Sequence, residues 1–89
     1  MNDSFYSTQD IYLAATLSSL DYYLTEIEQD EGKFIFVFDK VSQNTSKDTI
    51  ELDADQYWTG NILIDPKRLF SEFKSIKARM YDQKRGNRE

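Results

Sequence analysis

Lys33-Phe-Ile-Phe-Val-Phe-Asp39 is the stretch that most constrains how this chain can fold. Successive side chains of a strand point to opposite faces, so Phe34, Phe36 and Phe38 share one face while Ile35 and Val37 share the other. Both faces are apolar, which places the strand in the middle of a sheet with something packed on each side. Its neighbour in sequence is Asp21 to Gln29, where Tyr22, Tyr23, Leu24, Thr25 and Ile27 suit a pleated surface. Between the two, Gln29-Asp30-Glu31-Gly32 has hairpin-turn composition.

The stretch from Asn61 to Tyr81 supplies the second fixed point. Ile62, Leu63 and Ile64 read as a short buried strand. Asp65 then caps a helix whose first residue is Pro66, which lacks the amide that would be unpaired there. Leu69, Phe73, Ile76 and Met80 fall on one stripe with Phe70 at its margin, and Lys67, Arg68, Lys74 and Arg79 occupy the opposite arc. After Tyr81 the tail has no apolar content and is expected to fray.

Other elements follow from similar signals. Asn2 to Ser7 reads as an ordered arm, because Phe5 and Tyr6 need burial. Ser7-x-x-Asp10 resembles a capping box, with Thr8 as the competing cap, ahead of a helix from about Gln9 to Leu20. Leu13, Leu17 and Leu20, widened by Ala14, form its main stripe; Ile11, Ala15 and Ser18 form a second surface smooth enough for close approach of the last helix, the arm or another copy. Val41 to Lys47 is a polar loop. Residues 48–59 are ambiguous: Ile50, Ala54, Tyr57 and Trp58 share a helical face and Gly60 sits at a C-terminal cap, yet Thr49 to Asp53 also alternates like a strand. Helix is the preferred reading. The expected fold is α+β, in the order α-β-β-α-β-α, with a small sheet of hairpin plus one short strand covered by about three helices. Residues 1–81 form the single domain and 82–89 the basic tail.

Phe5-Tyr-Ser-Thr-x-Asp-Ile-Tyr-Leu-Ala-Ala, the Phe36-Val-Phe strand, and Tyr57-Trp-x-Gly-Asn-Ile-Leu-Ile-Asp-Pro-x-x-Leu-Phe together resemble a family of small single-domain proteins of unknown function from bacteria, their phages and mobile elements. The resemblance extends over residues 5 to 81. It implies a prokaryotic or phage setting, rests on structural motifs, and brings no catalytic residues with it.

Composition then limits the chemistry. Eighty-nine residues allow one modest core, and the chain has neither histidine nor cysteine, which removes the commonest general base, thiolate metal sites and disulfides. No stretch approaches the roughly 20 apolar residues of a membrane span, so a cytoplasmic protein without a membrane partner is expected. Acids are plentiful, and Asp30-Glu31 and Asp48-x-x-Glu51-x-Asp53-x-Asp55 are the densest groups, but neither has calcium-loop spacing. The three glycines are isolated, so no phosphate loop exists. No catalysis, metal or cofactor is expected.

Binding is the remaining class. The net charge of −5 divides into thirteen acids against three lysines through Asp65, a net of −10, and eight Lys and Arg against three acids from Pro66 onward, a net of +5. One reading lays the basic helix against the acidic body; the other turns two poles toward different partners. A protein partner would engage the acidic body through Glu51, Asp53 and Asp55, and a homodimer would use Ile11, Ala15 and Ser18. Nucleic acid would instead engage Lys67, Lys74, Lys77, Arg79, Tyr81, Lys84, Arg85 and Arg88, cations with an aromatic beside them. Glu72 lies four residues after Arg68 and can pair with it, which weakens the nucleic-acid reading, and a protein partner is ranked first.

Overall fold

A computed structural model of the chain describes residues 5–40 and 49–86, with side chains through Asp82. The element order is β1 (Phe5–Thr8), α1 (Ile11–Ser19), β2 (Leu24–Asp30), β3 (Lys33–Asp39), α2 (Thr49–Thr59) and α3 (Pro66–Gly86), an α+β fold with a three-stranded antiparallel sheet. The expected polar loop from Val41 and the first residue of the second helix, Asp48, lie outside the described residues.

β3 is the central strand, as its two apolar faces require, and the sheet order is β1-β3-β2. Asp30 pairs with Lys33, leaving Glu31 and Gly32 as a two-residue turn. Both have positive φ, 52° and 82°, the geometry whose twist matches the flanking strands. Along β2, Leu24 and Ile27 are both buried although they lie three residues apart. Strict alternation forbids that; an irregularity between Leu24 and Glu26 absorbs the odd residue, and the Thr25 hydroxyl donates to the Val37 carbonyl at 2.9 Å.

The third strand is not the expected one. Ile62 to Ile64 carries no sheet pairing among the described residues, and Leu63 is 93% exposed. The arm supplies the strand instead, Tyr6 lying opposite Phe38 and Thr8 opposite Phe36. β3 has only two edges, and β1 and β2 occupy both. Asn61 to Asp65 is left as the connection between two helices.

Helix boundaries follow from their caps. Ser7 and Thr8 belong to β1, so Asp10 is the N-cap of α1, its carboxylate accepting from the Tyr12 and Leu13 amides at 2.8 and 3.3 Å. Thr8 supports the cap by accepting from the Asp10 amide. At the other end Asp21 takes a φ of 75°, with the Tyr22 amide donating to the Leu17 carbonyl and the Asp21 amide to Ser18. Residues 49–59 are helical, and α2 ends the same way through Gly60 (φ 79°), the Asn61 amide donating to Gln56. α3 starts at Pro66 with the Asp65 carboxylate accepting from the Lys67 amide. It continues to Gly86, so the expected frayed tail is helical over residues 82–86; Lys84 and Arg85 lie within it.

α1 is the centre of the packing, buried from Leu13 to Ser19. Leu13, Ala14 and Leu17 join Phe36 and Phe38 of β3, Leu24 and Ile27 of β2, Ile50 and Ala54 of α2, and Ile76 of α3 in one core. Ile76 alone of the α3 stripe is fully buried; Leu69, Phe73 and Met80 are half-buried against the core and Phe70 is 66% exposed. The small residues of α1 let α3 lie close along it. The other face of the sheet differs from expectation: Ile35 and Val37 are half-buried, and the groove there is lined by strand residues alone among those described, Phe5, Thr25, Glu26, Glu28 and Val37.

Candidate interaction surfaces

The expected acidic site on α2 does not assemble as one patch. The Glu51 carboxylate accepts from the Lys40 ammonium at 2.8 Å, and Asp53 accepts from the Tyr22 hydroxyl at 2.7 Å, tying α2 to the segment between α1 and β2. Asp55 is exposed. Glu51 and Asp55 share one side of the helix and Asp53 points away from them, as a spacing of two residues dictates.

The expected homodimer surface is closed as well. Ala15 and Ser18 are buried and Ile11 is half-buried, because α3 and the rest of the core cover α1 within the same chain. Ala15 and Ser18 thus serve packing within the chain.

The cations of α3 separate into two groups. Arg68 turns toward the C-terminal end of α1, where its guanidinium donates to Asp21 at 2.8 Å, to the Ser18 carbonyl at 3.3 Å and to Glu72 at 3.2 Å. A cation at that helix end also meets the negative pole of the helix. The Asp21 and Glu72 bonds raise the guanidinium pKa further. Arg79 donates to the Leu24 carbonyl at 3.3 Å, so of the expected nucleic-acid contacts this one is turned to the body. Lys67, Lys74, Lys77 and Tyr81 are exposed on the other flank. The Lys77 ammonium stands 5.4 Å from the centre of the Phe73 ring. The side chains of Lys84 and Arg85, and Arg88 altogether, lie outside the described residues.

Two surfaces emerge that the sequence reading did not single out. The first is the outer face of the sheet. Glu26, Glu28 and Asp30 are exposed and lie opposite Val37, Ile35 and Lys33, so they form a row on the edge strand at alternate positions. Phe5, 43% exposed, lies on the same face through its pairing with Asp39. The row crowds like charges: a hydrogen bond with Glu26 and repulsion from it, then burial and Asp30, raise the Glu28 pKa. The alternation of Glu26, Glu28 and Asp30 with Ile27 and Gln29 was the visible signal, but it names a site only once β2 is known to be an edge.

The second surface is an apolar groove of about 190 Å³ between α1, α2 and α3, lined by Tyr12, Ala15, Thr16, Tyr57, Leu69, Phe70 and Phe73. Tyr12 and Phe73 stack with centroids 5.5 Å apart and planes 5° from parallel. Trp58 meets Tyr57 edge-on at 4.9 Å. The Thr16 hydroxyl already donates to the Tyr12 carbonyl, which leaves the lining with carbon surface. Burial, helped by Asp10 and Tyr12, raises the Tyr57 pKa.

Among the described residues, no group of three or more carboxylates is gathered closely enough to hold a metal ion. Nor, among them, is any helix long and apolar enough to cross a membrane. Comparison with protein-family models, with curated proteins and with solved structures finds no match to this chain.

Proposed function

We propose that this is a non-catalytic binding protein that holds a basic partner protein on the outer face of its sheet. The observation that carries this reading is the row of Glu26, Glu28 and Asp30 beside Phe5, Ile35 and Val37. An apolar centre with a charged border is the anatomy of a protein-binding patch, where the centre contributes affinity and the charges contribute steering and register. Acids on an edge strand also guard against pairing with stray chains, but that task needs no apolar centre beside them. A cation docking on the row would relieve the repulsion from Glu26 and Asp30 that raises the Glu28 pKa. In this reading β2 carries the acidic contact, and exposed Asp55 on α2 has the same sign of charge.

The test uses the tagged full chain and a Glu26→Lys/Glu28→Lys variant, both recovered from the native host at low salt, with bound protein and bound nucleic acid identified separately. The wild type is expected to retain a basic protein that the variant loses. Association with the purified partner should be slowed by the reversal and by added salt. Retention of nucleic acid instead, abolished by Lys74→Glu/Lys77→Glu, would overturn the reading in favour of phosphate binding by α3.

A further inference from the structure

We infer that the groove between the three helices takes an apolar anchor side chain from an acidic, amphipathic helix of a partner protein. This surface is separate from the sheet face, and the inference goes beyond that reading.

Size selects the class of occupant. At about 190 Å³ the groove falls below the ~300–1,000 Å³ of sites that enclose a whole small molecule. It is instead suited to one large side chain, the unit by which an amphipathic helix docks in a groove. The walls select the chemistry. Tyr12, Tyr57, Phe70 and Phe73 are the residue types that concentrate binding energy at protein interfaces, and two of them stand open, Tyr12 at 62% and Phe70 at 66% exposure. A nucleobase in this groove would leave its edge donors and acceptors without partners, a cost that an aliphatic or phenyl group avoids.

Charge selects the partner's sign. On α3, Lys74 lies four residues after Phe70 and Lys77 four after Phe73, so both ammonium groups flank the aromatic wall, and Lys67 stands one turn earlier on the same flank. None of the three has an ion-pair partner among the described residues. A helix presenting leucine or phenylalanine on one face with glutamates beside it would fill the groove and meet these cations. A basic helix with the same apolar residues would be repelled.

The experiment follows the backbone amides of the isotope-labelled full chain by NMR. The probe is a synthetic helical peptide of about 16 residues, long enough to form a helix when bound. It carries Leu and Phe at i, i+4 and i+7 with Glu at the flanking positions. A second peptide has every Glu replaced by Lys. The acidic peptide is expected to shift Thr16, Tyr57, Phe70 and Phe73 and to bind about tenfold more weakly to Phe70→Ala and to Lys74→Glu/Lys77→Glu. Phe70 and both lysines are exposed, so these variants are expected to melt as the wild type does and the loss cannot be assigned to unfolding. Equal binding of the lysine peptide would overturn the inference, as would shifts confined to the sheet. So would displacement of the acidic peptide by single-stranded oligothymidylate, or closure of the groove by self-association in sedimentation.

Discussion

Leu63 and Ile76 make the sharpest test of how the chain packs, because they are similar in size and opposite in environment. Ile76 is 2% exposed within the core that joins all three helices to the sheet, whereas Leu63 is 93% exposed in the connection before α3. Ile76→Ala removes buried apolar surface and leaves a cavity, a change that costs about 2–5 kcal/mol. A domain of this length has a total stability of about 4–13 kcal/mol on the usual per-residue scale, so about 3 kcal/mol is a large fraction of it. With a urea dependence of about 1.5 kcal/mol per molar, the midpoint should fall by about 2 M. Leu63→Ala buries nothing less than before and should stay within about 0.5 kcal/mol, a midpoint change of about 0.3 M. If Ile62 to Ile64 formed a buried strand, Leu63→Ala would instead cost as much as Ile76→Ala. Equal losses for the two variants would refute the strand order, and a Leu63 loss that grew with protein concentration would place that side chain between copies.

Tyr22→Phe removes the 2.7 Å hydrogen bond to Asp53 and should cost about 1 kcal/mol in the same urea assay, with much less cost when Asp53→Ala is already present. Gly32→Ala meets no atom within 4 Å, so its expected loss of about 1 kcal/mol reflects only the left-handed backbone and should appear as faster unfolding or a lower melting temperature. Burial, then Asp55 and Glu51, raise the Tyr6 pKa above the ordinary 10.0. The folded state therefore keeps a proton that the unfolded state loses, and stability should fall as the pH rises past about 10, less steeply in Tyr6→Phe. Glu26→Gln should lower the Glu28 pKa in a carbon-detected NMR titration, since the neighbour that raises it is no longer a competing carboxylate.

Signals confined to a few consecutive residues were legible in the sequence. The doubly apolar β3, the Glu31-Gly32 turn, the Asp65-Pro66 start of α3 and the Gly60 end of α2 each combine a local conformation with a residue that favours it. What could not be read was a choice between distant segments. Phe5-Tyr-Ser-Thr and Ile62-Leu-Ile are both short and apolar enough to pair with β3, and only three-dimensional packing decides that the first does. The same holds for the surfaces. Glu51 and Asp53 look like one acidic group in sequence, but folding turns them to Lys40 and Tyr22. Tyr12, Tyr57 and Phe70 lie far apart in the chain, and docking of three helices is what brings them to one groove.

The separation of charge along the chain resolves differently for arginine and lysine. A guanidinium presents a flat fork of donors that can serve a carbonyl and carboxylates together, and an ammonium is a compact, strongly hydrated charge. Arg68 uses that fork at the end of α1, where Asp21 holds a left-handed backbone that glycine would adopt without strain. The non-glycine residue there is accounted for by its bond to Arg68, which also gives the Ser18 carbonyl a second donor beside the Asp21 amide. Arg68 and Arg79 thus bind the basic helix to the acidic body, as the simpler reading of the charge pattern holds. Lys67, Lys74 and Lys77 take no part in that docking and line the aromatic flank, while Glu26, Glu28 and Asp30 lie beyond the sheet, away from the helices. Exchanging Arg68 for lysine would remove the fork without changing the net charge, so it would loosen α3 on α1 while leaving both outer surfaces with the same sign.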